Sequence, residues 1–350
     1  MDYWGYDAVN ILIIKLSAVG DVIHTLPSLS ALRKLYPGAH ITWVVEEAAA
    51  DIVRNHPDLD CLIVSRRKGW QKEIKAGRIK EPLHEIKSFL RELRTRDYDL
   101  VIDFHGLFKS AILVFLCRGK RKIGYDSYQE LSGLFYSEKI PEDMTKHAVE
   151  RYLDFPKYLG AKIVDPVFQI AVGAENKETV DRLLTSCQVS GPFVAMNPVA
   201  YWDTKLWDDA RFAALCDRIV EKYHLAVILT GQKATALEKI RLRAHGTVIN
   251  LEGRTTLKDL AELYRRATLL VTTDSGPMHL AAALGTPVVA LFGPTDPSRT
   301  GPYGSGHIVI QESLSCVPCF RKTCRDMTCM KDITVDQVFD AVARVLCQRL

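Results

Sequence analysis

Short apolar runs alternate with longer amphipathic segments along this chain, and the alternation runs through twice. In the first half, strands are expected at 10–16, 41–45, 61–64, 100–103 and 122–124, with helices at 22–36, 82–96 and 109–117. The first helix ends at Pro37-Gly38, a stop signal. The pattern then restarts, with strands at 193–197, 226–229, 248–250, 269–272 and 288–292 and helices at 208–223, 235–244, 257–267 and 277–284. Such alternation implies parallel sheets covered by helices. A chain of 350 residues can bury two cores of this kind. The expected architecture is therefore α/β, two Rossmann-like doubly wound domains facing a cleft. The first would span 1–164, a connection 165–191, the second 192–334, and a last helix at 335–350 would pack back on the first domain.

Composition narrows the class. Hydrophobic content of 47% and charged content of 25% suit a globular protein. No apolar stretch approaches the roughly 20 residues of a membrane span. Residues 1–7 are not basic, and the run at 11–16 is too short for a signal segment. A cytoplasmic location is expected, peripheral at most on the inner face of a membrane. A net charge of +4 is too small to argue for nucleic acid. The positive charge is local: between positions 66 and 80 seven basic residues face one acid, Glu73. That cluster is either a solvated face or a surface for an anionic substrate or membrane.

Ligands of doubly wound sheets bind outside the carboxyl ends of the strands. The segment Thr272-Thr273-Asp274-Ser275-Gly276-Pro277-Met278-His279 leads from a strand into a helix of small residues. A helix start offers free N–H groups and partial positive charge, so Asp274, Ser275, Gly276 and His279 mark an anion site. After the first strand only Gly20 is present, which disfavours a dinucleotide fingerprint, and no P-loop motif occurs. Asp21, where the first helix begins, is either an N-cap or a general base. Lys205, in the loop after the second half's first strand, could neutralise a diphosphate, or be an ordinary surface lysine. Trp207 beside it is expected to pack. Two D-x-D triplets, at 58–60 and 97–99, lie at the wrong end of the strands for metal binding and read as turns. Nine cysteines include Cys316, Cys319, Cys324 and Cys329 spaced C-x₂-C-x₄-C-x₄-C. That run is a candidate structural zinc site, a set of reduced thiols, or a redox element.

These motifs resemble glycosyltransferase family 9, the ADP-heptose:lipopolysaccharide heptosyltransferases, over nearly the whole chain. The resemblance is carried by Lys-Leu-Ser-Ala-Val-Gly-Asp-Val-Ile-His-Thr-Leu-Pro at 15–27, by 274–283, and by Phe-Gly-Pro-Thr-Asp-Pro at 292–297. Residues 43–47, 103–109 and 147–151 look most like the type I enzymes, which add the first heptose. The resemblance implies the GT-B fold and inverting, metal-independent transfer without a cofactor. It implies that Asp21 is the base and that Lys205, Asp274, Ser275, Gly276 and His279 bind an ADP-heptose donor. It places Arg66, Arg67 and Lys68 toward a Kdo-lipid A acceptor at the membrane surface. Where type I enzymes carry two threonines before the lysine, this chain has Ala200 and Tyr201. Transfer of another sugar or to another acceptor, and nucleotide-sugar binding without catalysis, are the alternatives.

Overall fold

A run such as Ile11-Leu12-Ile13-Ile14 has no polar alternation, and all four residues are fully buried. Strands of that kind belong inside parallel sheets covered on both faces. The computed structural model describes residues 9–127, 129–162, 165–232 and 234–349. The readings made for residues 1–7, for Val164 at the expected domain end and for Leu350 lie outside the described residues.

The chain divides into two units at 171/172. In the first, the order is β1 (Asn10–Ile14), α1 (Val19–Leu35), β2 (His40–Glu46), α2 (Ala50–Val53), β3 (Cys61–Ser65), α3 (Arg67–Lys75), α4 (Lys80–Leu93), β4 (Tyr98–Asp103), α5 (Phe108–Leu116), β5 (Gly119–Tyr125), β6 (Glu138–Ile140) and α6 (Ala148–Tyr158). These strands form one sheet in the order β3-β2-β1-β4-β5-β6, parallel throughout.

The second unit runs α7 (Ala174–Ser186), β7 (Phe193–Asn197), α8 (Asp209–Tyr223), β8 (Ala226–Leu229), α9 (Ala234–Arg243), β9 (Val248–Asn250), α10 (Leu257–Arg266), β10 (Leu269–Thr273), α11 (Gly276–Ala283), β11 (Val288–Phe292), α12 (Pro297–Thr300), β12 (Ile308–Gln311), α13 (Thr328–Lys331) and α14 (Val335–Arg349). Its parallel sheet has the order β12-β11-β10-β7-β8-β9. Each sheet reverses direction once, between β1 and β4 and between β7 and β10. Those two reversal points are where doubly wound sheets open a crevice for ligand.

One part of the domain plan changes. The stretch expected as a connection carries α7, which docks on α10; Asn176 Nδ2 donates to Asp259 Oδ1 at 2.8 Å. In α14, Val338, Phe339, Val342, Val345 and Leu346 enter the second unit's core with Val194, Phe212, Leu215 and Val289. Among the described residues no helix is long and apolar enough to cross a membrane.

Candidate active site at the two sheet reversals

At the first reversal, between β1 and β4, a carboxylate is held by groups from three elements. Ala18 is the N-cap of α1, and Asp21 is its third residue. Asp21 Oδ2 accepts the Ala18 N–H at 3.2 Å, the reciprocal half of a capping box. Its Oδ1 accepts the Tyr152 hydroxyl at 3.1 Å. Tyr152, on α6, in turn accepts from Lys15 Nζ at 2.6 Å, and Lys15 also donates to the Phe104 carbonyl at 3.0 Å. Burial pushes the Asp21 carboxyl up, but the Lys15 ammonium, the Ala18 N–H and the Tyr152 hydroxyl outweigh it, and the group lies below the usual carboxylate range. Burial also lowers Lys15, against the opposing pull of Asp21 and Asp103. Asp21 is thus both a helix-start residue and an ionised carboxylate at the sheet's ligand edge.

The loop after β4 is organised by a second carboxylate. Asp103 is fully buried and accepts Ser110 Oγ and Tyr136 Oη at 2.7 Å each, and the His105 N–H at 2.8 Å. Gly124 makes room for this: a Cβ there would lie 2.2 Å from the Tyr136 ring. The loop presents His105, whose Nδ1 and Nε2 are buried without a hydrogen-bond partner among the described residues. Burial and the Lys15 and Lys109 charges push its imidazole down to about 3, so it is neutral at pH 7.

The basic residues divide by partner. Glu46, at the end of β2, is buried and carries three cations: Arg67 at 2.9 Å, Lys109 at 3.6 Å and Lys68 at 3.7 Å. Lys109 Nζ also donates to Ser17 Oγ at 3.0 Å. One carboxylate against three cations leaves an excess of positive charge at the strand ends. Arg66 is different. It is bidentate on Glu85 at 2.7 Å and lies 3.6 Å from Glu47 and 3.8 Å from Glu73. Acids already surround it, so it is a strut between α3 and α4.

At the second reversal, between β7 and β10, Lys205 Nζ meets Asp274 Oδ2 at 2.5 Å, and Thr295 Oγ1 donates to the same oxygen at 2.6 Å. Lys205 also lies 4.5 Å from the Trp202 ring centre. Ser275 is the N-cap of α11, but its side chain does not cap the helix; its hydroxyl sits 3.3 Å from Thr272 Oγ1. Pro277 occupies the first turn, where no N–H is needed. Gly276 opens the helix and His279 follows in the same turn, 8% exposed. Trp207 is buried and donates to the Ile333 carbonyl at 2.9 Å, a packing role.

A family model of glycosyltransferase family 9 (heptosyltransferase) matches residues 86–329. The chain belongs to glycosyltransferase family 9. It is 32% identical to the lipopolysaccharide heptosyltransferase 1 of Pseudomonas aeruginosa, across 90% of this chain and 87% of that one. It is 28% identical to the lipopolysaccharide heptosyltransferase 3 of Escherichia coli K12, across 79% of this chain and 80% of that one. Among solved structures, the E. coli heptosyltransferase WaaC with ADP matches with a TM-score of 0.78 at 29% identity, covering 96% of this chain and 100% of that one. The protein is therefore a family 9 glycosyltransferase with the two-Rossmann architecture.

In this family 9 chain the matched region holds the Lys205–Asp274 pair and α11, while Asp21, Glu46 and Arg67 precede it. Sequence reading missed Lys15, Tyr152, Glu46 and Lys109 as site residues. A lysine at the end of an apolar strand was the available signal for Lys15; Tyr152 carried none. Asp58 and Asp60 sit in the turn before β3 and accept from Ser30 and Arg33, whereas Asp99 lies within β4 and accepts from Lys120 of β5, so the second triplet is not simply a turn. Cys316 and Cys324 are exposed thiols, and Cys319 and Cys329 are half-buried. Among the described residues no group of three or more His, Cys, Asp or Glu is arranged to hold a metal ion. The zinc reading of the four cysteines therefore gains no ligand cage.

Proposed function

We propose that the protein moves heptose from ADP-heptose to a Kdo-bearing lipid A acceptor of the lipopolysaccharide inner core, with inversion. The observation that carries this is Asp21, an ionised carboxylate fixed by Lys15, Tyr152 and Ala18 beside an excess of positive charge. Asp21 takes the proton of an acceptor hydroxyl. The oxygen attacks the anomeric carbon, and the bond to the diphosphate breaks with its electron pair leaving on ADP. A base with a lowered pKa suffices, because the hydroxyl becomes acidic as the new bond forms. In this reading Arg67, Lys68 and Lys109 hold the acceptor's carboxylates or phosphates. Lys205 and the start of α11 hold the donor diphosphate and stabilise the departing charge. Lys205 has three donors, so it can keep Asp274 and still reach an oxygen of the diphosphate. The protein works at the inner face of the membrane, where a lipid-borne acceptor is presented.

Identity and coverage are both higher to the relative named heptosyltransferase 1 than to the one named heptosyltransferase 3. This favours the first heptose over a later one. The test is a transfer assay with purified protein, Kdo-lipid A and a donor panel, the product read by mass. ADP-heptose should turn over at least about ten-fold faster than an ADP-hexose lacking the seventh carbon. Turnover with a different donor alone would replace the donor assignment. Binding of ADP-heptose without any product would leave a nucleotide-sugar-binding protein.

A further inference from the structure

Helices α3 and α4 form a hairpin that is fastened at its base and open at its tip. At the base Trp70 Nε1 donates to Glu85 Oε2 at 2.6 Å, Arg66 is bidentate on the same carboxylate, and Trp70 packs on Phe89 with ring centres 5.6 Å apart. Residues 71–84 lie beyond this staple. Gly77, at φ +80°, turns the chain there, with its N–H on the Ile74 carbonyl at 3.0 Å. Because α3 starts directly after β3, the hairpin springs from the carboxyl end of the sheet, the same end as Asp21 and Glu46.

The tip has an unusual surface. Ile74, Ile79 and Leu83 are 40%, 52% and 55% exposed. Lys72, Lys75, Arg78 and Lys80 stand among them, all exposed. Ion pairs of this segment among the described residues fall on Arg66, Arg67 and Lys68, at the base. Of the tip's acids, Glu73 turns toward Arg66, which leaves Glu81 against four cations. A hydrated soluble anion would be met by the cations alone and gives no reason for three large exposed aliphatics between them. A bilayer that carries anionic headgroups over an acyl interior satisfies both.

We propose that the tip of the α3–α4 hairpin docks the enzyme on an anionic lipid bilayer, with Ile74, Ile79 and Leu83 entering the headgroup boundary and Lys72, Lys75, Arg78 and Lys80 on the lipid phosphates. The docking rests on the reading that the acceptor is lipid-borne, and it turns the ligand end of the first sheet toward the headgroups. It assigns the tip to the membrane and Arg67, Lys68 and Lys109 to the acceptor.

Flotation with vesicles of phosphatidylglycerol and phosphatidylcholine, against phosphatidylcholine alone, tests it. The wild-type protein should float with the anionic vesicles and lose binding as salt rises. The double variant Ile79→Asp/Leu83→Asp should lose binding about ten-fold or more, as should replacement of the four tip cations by Gln. All variants change exposed side chains, and unchanged melting and ADP binding confirm that they are folded. Transfer to an acyl-free, water-soluble Kdo acceptor should stay within about two-fold of wild type. Absence of wild-type binding, or vesicle binding by the variants equal to wild type, overturns the proposal. So does loss of soluble-acceptor transfer in the variants, which would move the tip into the acceptor site. If the wild type binds vesicles through the tip yet transfers no heptose, the docking stands and the donor assignment falls.

Discussion

The two units share one strand order and place their polar groups at the same reversal of the sheet, yet they fill that position differently. In the first unit, Asp21 depends on side chains from distant parts of the chain; Tyr152 is 131 residues away. In the second, the proposed anion grip is mostly a property of one strand-to-helix turn, with Lys205 added from the loop after β7. Under the proposed function the difference follows from two tasks. A base must be kept in one protonation state and orientation, which takes several specific partners. A diphosphate is gripped by backbone N–H groups and a cation, which a helix start supplies wherever small residues open it.

The largest expected effects separate the two sites. Asp21→Ala should lower kcat by at least 10²-fold while ADP binding, measured by calorimetry, stays near wild type. Lys205→Ala should do the reverse in part: ADP binding weakens by about ten-fold or more, with a further loss in transfer, because a charged hydrogen bond to the leaving group is removed. Near-normal turnover in Asp21→Ala would remove it as the base. Equal losses of ADP binding in both variants would erase the division of labour.

The next effect is on pH. Asp21 sits below the ordinary carboxylate pKa of about 4, so it is ionised across the neutral range. Its interactions contribute stability that is present above the unfolded value and is lost as pH falls through the lowered folded value. In Lys15→Met the largest charge that opposes burial is lost, so the Asp21 pKa should rise. The acid limb of kcat should then move to higher pH, with most activity recovered above it. The same Lys15 charge also lowers His105, so the shift belongs to Asp21 if it persists in Lys15→Met/His105→Ala. An unshifted limb in a variant with wild-type melting would show that Lys15 serves packing alone.

The same contrast explains what was legible in the sequence. The two sheets followed from apolar runs too short for helices, and the helix at 276–283 from Pro277 and three alanines. Asp274 and Asp21 stood out because they follow a strand or open a helix, and Lys205 because it lies in the loop after β7. The edge strands β6 and β12 were missed: they have only three and four residues, and β6 is mostly charged. Helix α3 was hidden by its own charges, since five of its nine residues are Arg, Lys or Glu. Tyr152 was out of reach for a different reason: its role comes from a distant pairing that the sheet creates, and no local spacing encodes it. Glu46 stood at a strand end, but its pairing with Arg67, Lys68 and Lys109 could not be read from there.

The smallest expected effect tests whether neighbouring arginines belong to different jobs. Arg66 and Arg67 are adjacent in sequence and equal in charge, yet Arg66 is enclosed by Glu85, Glu47 and Glu73 while Arg67 shares Glu46 with two lysines. Arg67→Ala removes part of an excess positive charge, so it should raise KM for the Kdo-lipid A acceptor by about ten-fold with little change in ADP binding. Arg66→Ala removes a strut that is half-exposed, so it should leave that KM within about two-fold and cost about 0.5 kcal/mol of stability. Thermal melting and acceptor titration on the two variants read both quantities. A rise in KM of the same size in Arg66→Ala would mean that the acceptor recruits Arg66 away from Glu85, and that the charge excess alone does not mark the acceptor side.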